Sequence, residues 1–362
     1  MRTRTHMHIY AMKLGNVVAV ATLAALVGCT GRGDIPGPVV QPLTEQHFHA
    51  HPQGRILTVP FSVLTGVNPR SGTMQRMQFV NTAALATSYR TIAVSDASNE
   101  VVHVYNSLGT QLAQLTGFFE PQGMSSDAKG SLYVADTGNQ RVQIYAAGFT
   151  GQPATLADPV GFPSDVDSYS AGQIVAVANI YNAPCCAQGS VSFFNRGTLV
   201  NTISDPILAK AYFCAFDASG NLYVDGIDVN NNFVVGEIIG GAHGRRYTPL
   251  ATTNHILSPG GIQITTSGQV AILDQNGATI YTYDAPHNGS LGSPVATTKL
   301  MQSNHAVAFA FTRTMAHVYT ADAGIFASQE FMYPAGGDAI ATINVGGQTS
   351  GIALLPSQVP IH

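Results

Sequence analysis

The chain has 362 residues, of which 45% are hydrophobic and only 10% are charged, and its formal net charge is −4. Ordinary soluble domains carry about 25% charged residues. With 20 acidic against 16 basic side chains, the chain lacks the basic stripe that phosphate backbones demand, so nucleic acid is excluded from the expected partners. The abundance of glycine, with 37 residues, suits an all-β exported protein.

Residues 1–29 have the pattern of an export signal. Arg2, Arg4 and Lys13 supply positive charge, and an apolar run follows over residues 17–27. That run is shorter than the roughly 20 residues that span a bilayer as a helix, which favours a signal peptide over a transmembrane segment. The sequence therefore predicts a signal peptide over residues 1–29.

The predicted signal ends in Leu26, Val27, Gly28 and Cys29, a run that resembles the lipobox of bacterial lipoproteins. The resemblance implies that Cys29 is diacylated and becomes the first residue of the mature protein. Thr30 follows the cysteine where inner-membrane retention would use an acidic residue, so we expect a lipid-anchored protein of the bacterial cell envelope, at the outer membrane or cell surface. Two alternatives stay open: a start at Met12, and a secreted protein in which Cys29 is incidental.

Residues 30–56 are rich in Pro, Gly and His and show no sustained period, which predicts a flexible tether. His47, His49 and His51 would share one side of an extended strand and could hold a divalent metal. We favour a polar tether that happens to contain histidines, and we expect no metal and no cofactor. Residues 57–90 contain apolar pieces, but their pattern does not fix a place in the fold.

One β-rich segment then recurs six times between residues 91 and 356. Neighbouring copies are separated by roughly 40 to 50 residues, which is the length that one four-stranded propeller blade consumes. The sequence therefore predicts a radial array of six small sheets. The copies are Ile92–Asp96, Leu132–Asp136, Ile174–Ala178, Leu222–Gly226, Val270–Asp274 and Val318–Asp322.

The second copy shows the whole unit. Pro121–Met124 begins a strand, Asp127–Gly130 has the residues of a tight turn, Leu132–Asp136 is the recurring segment, and Asn139–Tyr145 alternates as a third strand. These motifs resemble NHL repeats, which form six-bladed β-propellers. The resemblance implies an all-β fold over residues 91–356, with four-stranded antiparallel blades and a short tail at 357–362.

Two departures from that pattern concern the residue that ends the recurring segment. Ala178 and Gly226 stand where the other copies have aspartate. Since the aspartates at 96, 136, 274 and 322 recur blade by blade, we interpret them as groups that order turns rather than as a catalytic set. The two departures therefore weaken local order more than they argue against the fold.

The ends of the repeat region suggest how the ring closes. A last copy of the first-strand motif, Thr349–Leu355, follows the sixth unit, whereas the first unit begins at its second strand. We expect the C-terminal strand to complete the N-terminal blade, which would hide edges that are otherwise open to other chains. The alternative is that residues 82–86 form that inner strand.

Side chains at the starts of the inner strands can point into the central channel. Asp165 is the only carboxylate among these residues and His305 the only imidazole, which is too little charge for a hard cation or a zinc site. The sequence also has no Gly-x-Ser-x-Gly elbow and no His-Glu-x-x-His helix, so no catalytic residue is predicted. The candidate binding residues at the channel mouth are Gln122, Asp165, Tyr212, Asn304, His305 and Ser350.

Three of the four cysteines raise the question of a disulfide. An exported compartment permits a bridge from Cys185 or Cys186 to Cys214, or between the two neighbours. Cys214 also stands where other units have Met124, Val166 and Ile262, so a buried free thiol explains it as well. Both interpretations, a disulfide and a buried free thiol, stay open.

Taken together, these features predict a membrane-anchored extracytoplasmic lipoprotein whose propeller is a non-catalytic binding platform for a protein, peptide or glycan. The alternative is a divalent-cation-dependent enzyme, a lactonase-like hydrolase or a lyase, with its site at the channel mouth. That alternative requires at least three ligands from different blades to meet at one point.

Overall fold

The computed structural model describes residues 56–58, 91–149, 151–183 and 188–355, and these are almost entirely β-structure. Their strands alternate or are apolar throughout, as expected where both faces of a sheet are covered. Three single turns of 3-10 helix occur at Thr137–Asn139, Ala147–Phe149 and Gly241–His243. Within these ranges no helix has the length and apolarity needed to span a bilayer.

Six antiparallel sheets surround one axis, and each contains four blade strands that run up and down. In blades 2 to 6 these strands follow chain order from the axis outward. This confirms the predicted six-bladed β-propeller. From the axis outward, blade 1 consists of Thr349–Leu355, Thr91–Asp96, Val101–Asn106 and Gln111–Leu115. Blade 2 consists of Pro121–Ser126, Leu132–Asp136, Arg141–Tyr145 and Ala154–Ala157. Blade 3 consists of Gly161–Tyr169, Ile174–Asn182, Ser190–Asn195 and Thr198–Ile203.

The remaining three blades follow the same plan. Blade 4 consists of Lys210–Phe216, Leu222–Ile227, Phe233–Ile238 and Thr248–Pro249. Blade 5 consists of Pro259–Ile264, Val270–Asp274, Thr279–Tyr283 and Ala296–Lys299, and the short strands Ala251–Thr252 and Ser290–Gly292 pair beside it. Blade 6 consists of Ala306–Phe311, His317–Asp322, Ala327–Met332 and Ala341–Asn344.

The ring closes through the C-terminal strand, as predicted. Thr349–Leu355 pairs antiparallel with Thr91–Asp96, with Leu355 opposite Thr91 and Ile352 opposite Val94. It also packs against the inner strands of blades 2 and 6. The inner position is therefore filled by the end of the chain, and the alternative that placed residues 82–86 there is wrong. Residues 82–86 themselves lie outside the described ranges.

Blade 1 has a fifth strand that the sequence did not reveal. Ile56–Thr58 pairs antiparallel with the outer strand of the blade, with Ile56 opposite Leu115 and Thr58 opposite Ala113. The predicted tether over residues 30–56 therefore runs one residue into this strand. Cys29 and the three histidines at 47, 49 and 51 lie outside the described residues.

The inner strands bury the apolar positions that the repeat alignment selected. Met124, Val166, Cys214 and Ile262 are all at most 4% exposed. Inner strands of neighbouring blades pack against one another all the way round the axis. The apolar face predicted for the first strand of each unit therefore forms the contacts between blades.

The turns behind the inner strands use the predicted residues. Gly130 has a φ of +85°, and Asp127 Oδ1 accepts hydrogen bonds from Lys129 N and Ser131 N, both at 2.9 Å. Asp217 Oδ1 accepts the equivalent pair of hydrogen bonds in blade 4. The same local turn chemistry thus serves different blades.

The recurring aspartates order the chain where it enters each inner strand. Asp136 accepts a hydrogen bond from Phe119 N at 2.7 Å, Asp274 from Ser258 N at 3.2 Å, and Asp322 from Asn304 N at 2.8 Å. Each donor lies in the loop that leads into the inner strand of the same blade. The prediction that these residues order turns is therefore confirmed for blades 2, 5 and 6.

In blade 3 the register differs from the sequence alignment. Asn179, not Ala178, pairs with the first residue of the bulged inner-strand segment, Pro163, as Asp136 pairs with Pro121 in blade 2. The Asn179 side chain is fully buried and donates to Asp158 Oδ2 at 3.1 Å. The carboxylate of this blade thus comes from the incoming loop, and the strand supplies an amide.

We expect Ile352→Ala to lower the free energy of unfolding by about 2–5 kcal/mol, because it would leave a cavity where the last blade meets the first. Ile352 is 2% exposed and belongs to the core cluster that joins blades 1, 4, 5 and 6. Urea unfolding measures the change. Val229→Ala, at a side chain that is 75% exposed, should stay within about 0.5 kcal/mol of wild type. Equal effects of the two substitutions would contradict closure by the C-terminal strand.

Candidate functional site

The inner strands begin on one face of the propeller, which we call the entrance face; the opposite face is the exit face. Near the start of every inner strand there is a one-residue β-bulge. A bulge bends the strand and redirects a side chain, and bulges are frequent beside functional sites. The first residues of the six bulges are Gln122, Ser164, Tyr212, Gly260, Val307 and Ser350.

Three of the six predicted channel-mouth residues, Gln122, Tyr212 and Ser350, are bulge residues. The equivalent bulge residue of blade 3 is Ser164, which the prediction did not include. Asp165 follows that bulge directly. Asn304 and His305 lie just before the inner strand of blade 6. The prediction thus identified the correct end of the inner strands, although the positions are not all equivalent.

The channel mouth is closely packed rather than open. Gln122, Asp165 and Ser350 are at most 8% exposed, and His305 is 7% exposed. Gly123 lies so near the next blade that an added Cβ would be 2.1 Å from Asp165 Oδ1. Only Tyr212, which is half-buried, and Asn304, which is exposed, remain accessible among the predicted set. A binding role for these two stays a prediction.

Asp165 connects two blades instead of facing a ligand. Its Oδ2 accepts a hydrogen bond at 3.0 Å from Cys214 N on the inner strand of blade 4. Two residues along, Asp167 Oδ2 accepts at 2.8 Å from Phe216 N on the same strand. The two carboxyl groups therefore satisfy alternate N–H groups of a strand edge that has no neighbouring strand.

Ser164 extends this connection on the entrance side. Its Oγ lies 2.8–3.0 Å from the carbonyl oxygens of Ala178, Ala211 and Tyr212. The Ser164 hydroxyl therefore lies within hydrogen-bond distance of backbone carbonyl groups in both blade 3 and blade 4. The junction of blades 3 and 4 is thus held by polar side chains as well as by apolar contacts.

Burial changes the protonation of the carboxyl groups at this junction. It raises the pKa values of Asp165 and Asp225 well above the usual range for aspartate, and it raises the pKa of Asp167 to about 6. Asp225 Oδ1 accepts from Phe213 N at 3.2 Å, while its Oδ2 is buried without a partner. Neutral carboxyl groups are poor cation ligands.

The described residues contain no group of three or more His, Cys, Asp or Glu side chains arranged to hold a metal. A cation site at the mouth would depend on Asp165 and His305. Asp165 instead accepts from Cys214 N on the neighbouring strand, and His305 is buried, with its backbone N–H donating to Asp322 Oδ1 at 3.0 Å. The cation-dependent enzyme that the sequence left open therefore has no ligand set within the described ranges.

Cys214 is a free thiol, 2% exposed. Burial raises the pKa of this thiol well above its usual value, so it is an inert core group at neutral pH. This agrees with the reading of Cys214 as a buried apolar residue. Cys185 and Cys186 lie outside the described residues, and a bridge between those two stays a prediction.

Among the described residues, large apolar side chains are exposed on one side of the entrance face, between polar loop residues such as Asn230 and His255. These apolar side chains all lie in loops that join two blades or the second and third strands of one blade, and they span blades 4 to 6. Their exposed fractions run from 37% to 75%. We call this set the entrance arc: Ile207, Val229, Leu257, Met301, Ile325 and Phe326.

Two features border the entrance arc. At the junction of blades 3 and 4, Lys210 Nζ lies 5.3 Å from the ring centre of Tyr181, within the range of a cation–π contact. At the entrance end of blade 4 there is a mainly apolar groove of about 200 Å³, lined by Phe233, Val234, Val235, Pro249, Leu250 and Thr252. The arc therefore combines an apolar rim with a recess that can accept a side chain.

Comparison with known proteins identifies one of the blades. Residues 118–145 match the family model of the NHL repeat, and they cover the inner, second and third strands of blade 2. Blade 2 has the sequence of an NHL repeat. In this blade Arg141 Nε pairs with Asp136 Oδ2 at 2.6 Å, and Arg141 Nη2 donates to Gly117 O at 2.8 Å. These contacts connect the second and third strands with the loop that leads into the blade.

Solved structures share the propeller fold at low sequence identity. A chain of a nidogen/laminin complex aligns with a TM-score of 0.60 at 13% identity, over 74% of this chain and 99% of that chain. A protein of unknown function from Bacteroides caccae aligns at 0.57 and 12%, over 74% and 99%. Hydrazine synthase from Kuenenia stuttgartiensis aligns at 0.52 and 13%, over 74% and 87%. No curated protein matches the chain.

The raised pKa of Asp167 predicts a pH-dependent stability. Because the folded pKa of about 6 exceeds the unfolded value, the contribution of Asp167 is fully present below about pH 4 and is lost as pH rises through 6. Asp167→Asn removes this titration. Between pH 4 and pH 7 the wild type should lose up to about 3 kcal/mol of unfolding free energy that the variant keeps. This figure follows because a tenfold change in an acid dissociation constant corresponds to about 1.4 kcal/mol.

Urea unfolding of both proteins at half-unit pH steps measures this difference. Asn retains one side-chain oxygen, so one of the two hydrogen bonds from Phe216 N and Ser168 N is lost. An uncharged side chain does not titrate, and this loss therefore changes the level of the stability curve rather than its slope with pH. Parallel stability curves over the whole range would contradict a raised pKa for Asp167.

Proposed function

We propose that this protein is a lipid-anchored lipoprotein of the bacterial cell envelope whose NHL-like propeller binds a protein or peptide through the entrance arc. The observation that carries the proposal is the arc itself, with six large apolar side chains exposed on one face across three blades. Several large apolar side chains exposed on one face of a soluble protein are one mark of an interaction surface. Loops held by a rigid scaffold are the usual place for such contacts.

The chemistry of the arc favours a polypeptide over a glycan. Five of its six members are aliphatic or thioether side chains, and Phe326 is the one aromatic. Protein interfaces are built around such apolar centres, whereas a glycan requires many directed hydrogen bonds. The groove on blade 4, walled by Phe233 and Leu250, would take one apolar side chain of the partner. The likeness to a chain in a nidogen/laminin complex is compatible with this use of the fold.

The packed channel mouth supports a role on the surface rather than at the axis. Asp165 and Ser164 are committed to backbone groups of blade 4, and Gly123 and Gly351 lie against the neighbouring inner strands. A ligand would therefore meet the loops of the entrance face before it met any channel residue. The proposed platform is non-catalytic for this reason.

The pairing of the fifth strand of blade 1 would bring the proposed tether to the entrance face. Ile56 lies opposite Leu115, the last residue of the outer strand of blade 1, and that strand ends on the entrance face. A tether over residues 30–55 would span at most about 90 Å when extended. The propeller would therefore stay within the length of the extended tether from the membrane, and its orientation relative to the membrane would remain free.

Cys29→Ser should move the protein from the membrane fraction to the soluble fraction of the envelope, because the lipid is the proposed attachment. Fractionation followed by immunoblotting measures this. Cys185→Ser is the matched control and should leave the protein in the membrane fraction. Continued membrane retention of Cys29→Ser would contradict the anchor.

A photo-crosslinking residue placed at Leu257 or at Phe326 should form a covalent adduct of discrete mass in cells, because these side chains are 56% and 51% exposed at the arc. Mass spectrometry identifies the adduct. Position 239 is the control, since Ile239 is 64% exposed but lies on the exit face of blade 4. The same adduct from all three positions, or from position 239 alone, would rule out the arc as the binding surface.

A further inference from the structure

The chain between the fifth strand and the second strand of blade 1 starts and ends on the exit face. Thr58 lies opposite Ala113 and Ile56 opposite Leu115, so the fifth strand runs from the entrance face to the exit face. Thr91 lies opposite Leu355, at the exit end of the inner strand. Residues 59–90 therefore leave and re-enter the propeller on the same face of the same blade.

The distance between those two points is small compared with the length of chain that joins them. The fifth and second strands are separated by three strand spacings, or about 14 Å. The segment over residues 59–90 could reach about 100 Å if extended. Most of the segment is therefore surplus to the connection and stays within reach of blade 1 and its neighbours.

The composition of the segment favours contact with an apolar surface. Its only charged residues are Arg70, Arg76 and Arg90, and it contains no acidic residue. A sequence with many apolar groups and so few charges is unlike a solvated linker. Its apolar side chains include Phe61, Leu64, Val67, Met74, Met77, Phe79, Val80 and Leu85.

An apolar surface of matching position lies on the exit face where blade 6 meets blade 1. Its exposed members are Leu108 at 71%, Met332 at 43% and Ile340 at 53%, and Leu354 is partly buried against the core cluster that contains Ile343. We call these four residues the exit patch. The two blades touch here, since a Cβ on Gly109 would be 3.5 Å from Ile343.

The exit patch is local to this side of the ring. Within the described ranges, the exit-face loops of blades 2 and 3 carry no large exposed hydrophobic side chain. The exit faces of blades 4 and 5, farther from blade 1, each have one, Ile239 and Val295. Exposed Asp338 borders the patch and offers negative charge to a segment whose only charged side chains are arginines.

We infer that residues 59–90 dock on the exit patch and cover it. Both ends of the segment are fixed to blade 1, so its effective concentration at the patch far exceeds that of any separate partner. The two faces of the propeller then differ in availability, because the exit patch is covered by its own chain while the entrance arc stays open. The inference is independent of the proposed binding function.

The test uses limited trypsin digestion of the full-length protein in detergent, with cleavage followed at Arg70 and Arg76. The double variant Leu108→Asp and Ile340→Asp should speed cleavage at both sites about tenfold, which corresponds to a loss of about 1.4 kcal/mol of docking free energy. Ile239→Asp, at a similarly exposed position on the same face of blade 4, should leave both rates at the wild-type value. Cleavage at Arg32 is the internal reference and should be the same in every protein.

Unchanged rates in the double variant, or an equal increase in Ile239→Asp, would overturn the inference. A second measurement does not depend on the folding of the double variant. A photo-crosslinker at position 108 should join that position to a peptide from residues 59–90 of the same molecule. A crosslinked dimer, an adduct with another protein, or no crosslink to the segment would each overturn it.

Discussion

The structure depends on how six inner strands meet around one axis. Each inner strand is paired on one edge and faces the axis with the other, and backbone groups on an unpaired edge must find partners. At the junction of blades 3 and 4, Asp165 and Asp167 supply acceptors to alternate N–H groups, and Ser164 serves carbonyl groups on both strands. At Gly123 and Gly351 the backbones approach so closely that a side chain would not fit.

This packing determines which polar groups near the axis remain accessible. Once the inner strands and their bulges fill the entrance, the carboxyl groups near the axis are committed to backbone partners. Asp165 illustrates the point, since desolvation raises its pKa and its hydrogen bond to Cys214 N holds it in place. The side chains that remain accessible lie in loops, as Leu257 and Phe326 do, and they differ from blade to blade.

The two faces are distinguished by the course of the N-terminal chain. The fifth strand of blade 1 begins on the entrance face, beside Leu115, and ends on the exit face, beside Ala113. Ile56 therefore lies toward the face that bears the arc, and Thr58 and Thr91, which flank residues 59–90, lie toward the face that bears the exit patch. The short strand Ile56–Thr58 thus determines the face of the propeller at which each flanking part of the chain is attached.

The sequence by itself determined the number of blades and the four strands of each repeat unit, because turns, alternation and repeat length are encoded in neighbouring residues. It favoured closure by Thr349–Leu355, and the structure decided between that strand and the alternative at residues 82–86. The sequence also identified the turn-ordering role of Asp136 and Asp322 from their recurrence. Only the tertiary structure decided that Asn179 replaces Ala178 in register, that the predicted mouth residues are mostly buried, and that an apolar arc stays exposed. Those features arise where strands from different blades, distant in the sequence, come into contact, and a bulge or a close approach between blades leaves no periodic trace in the sequence.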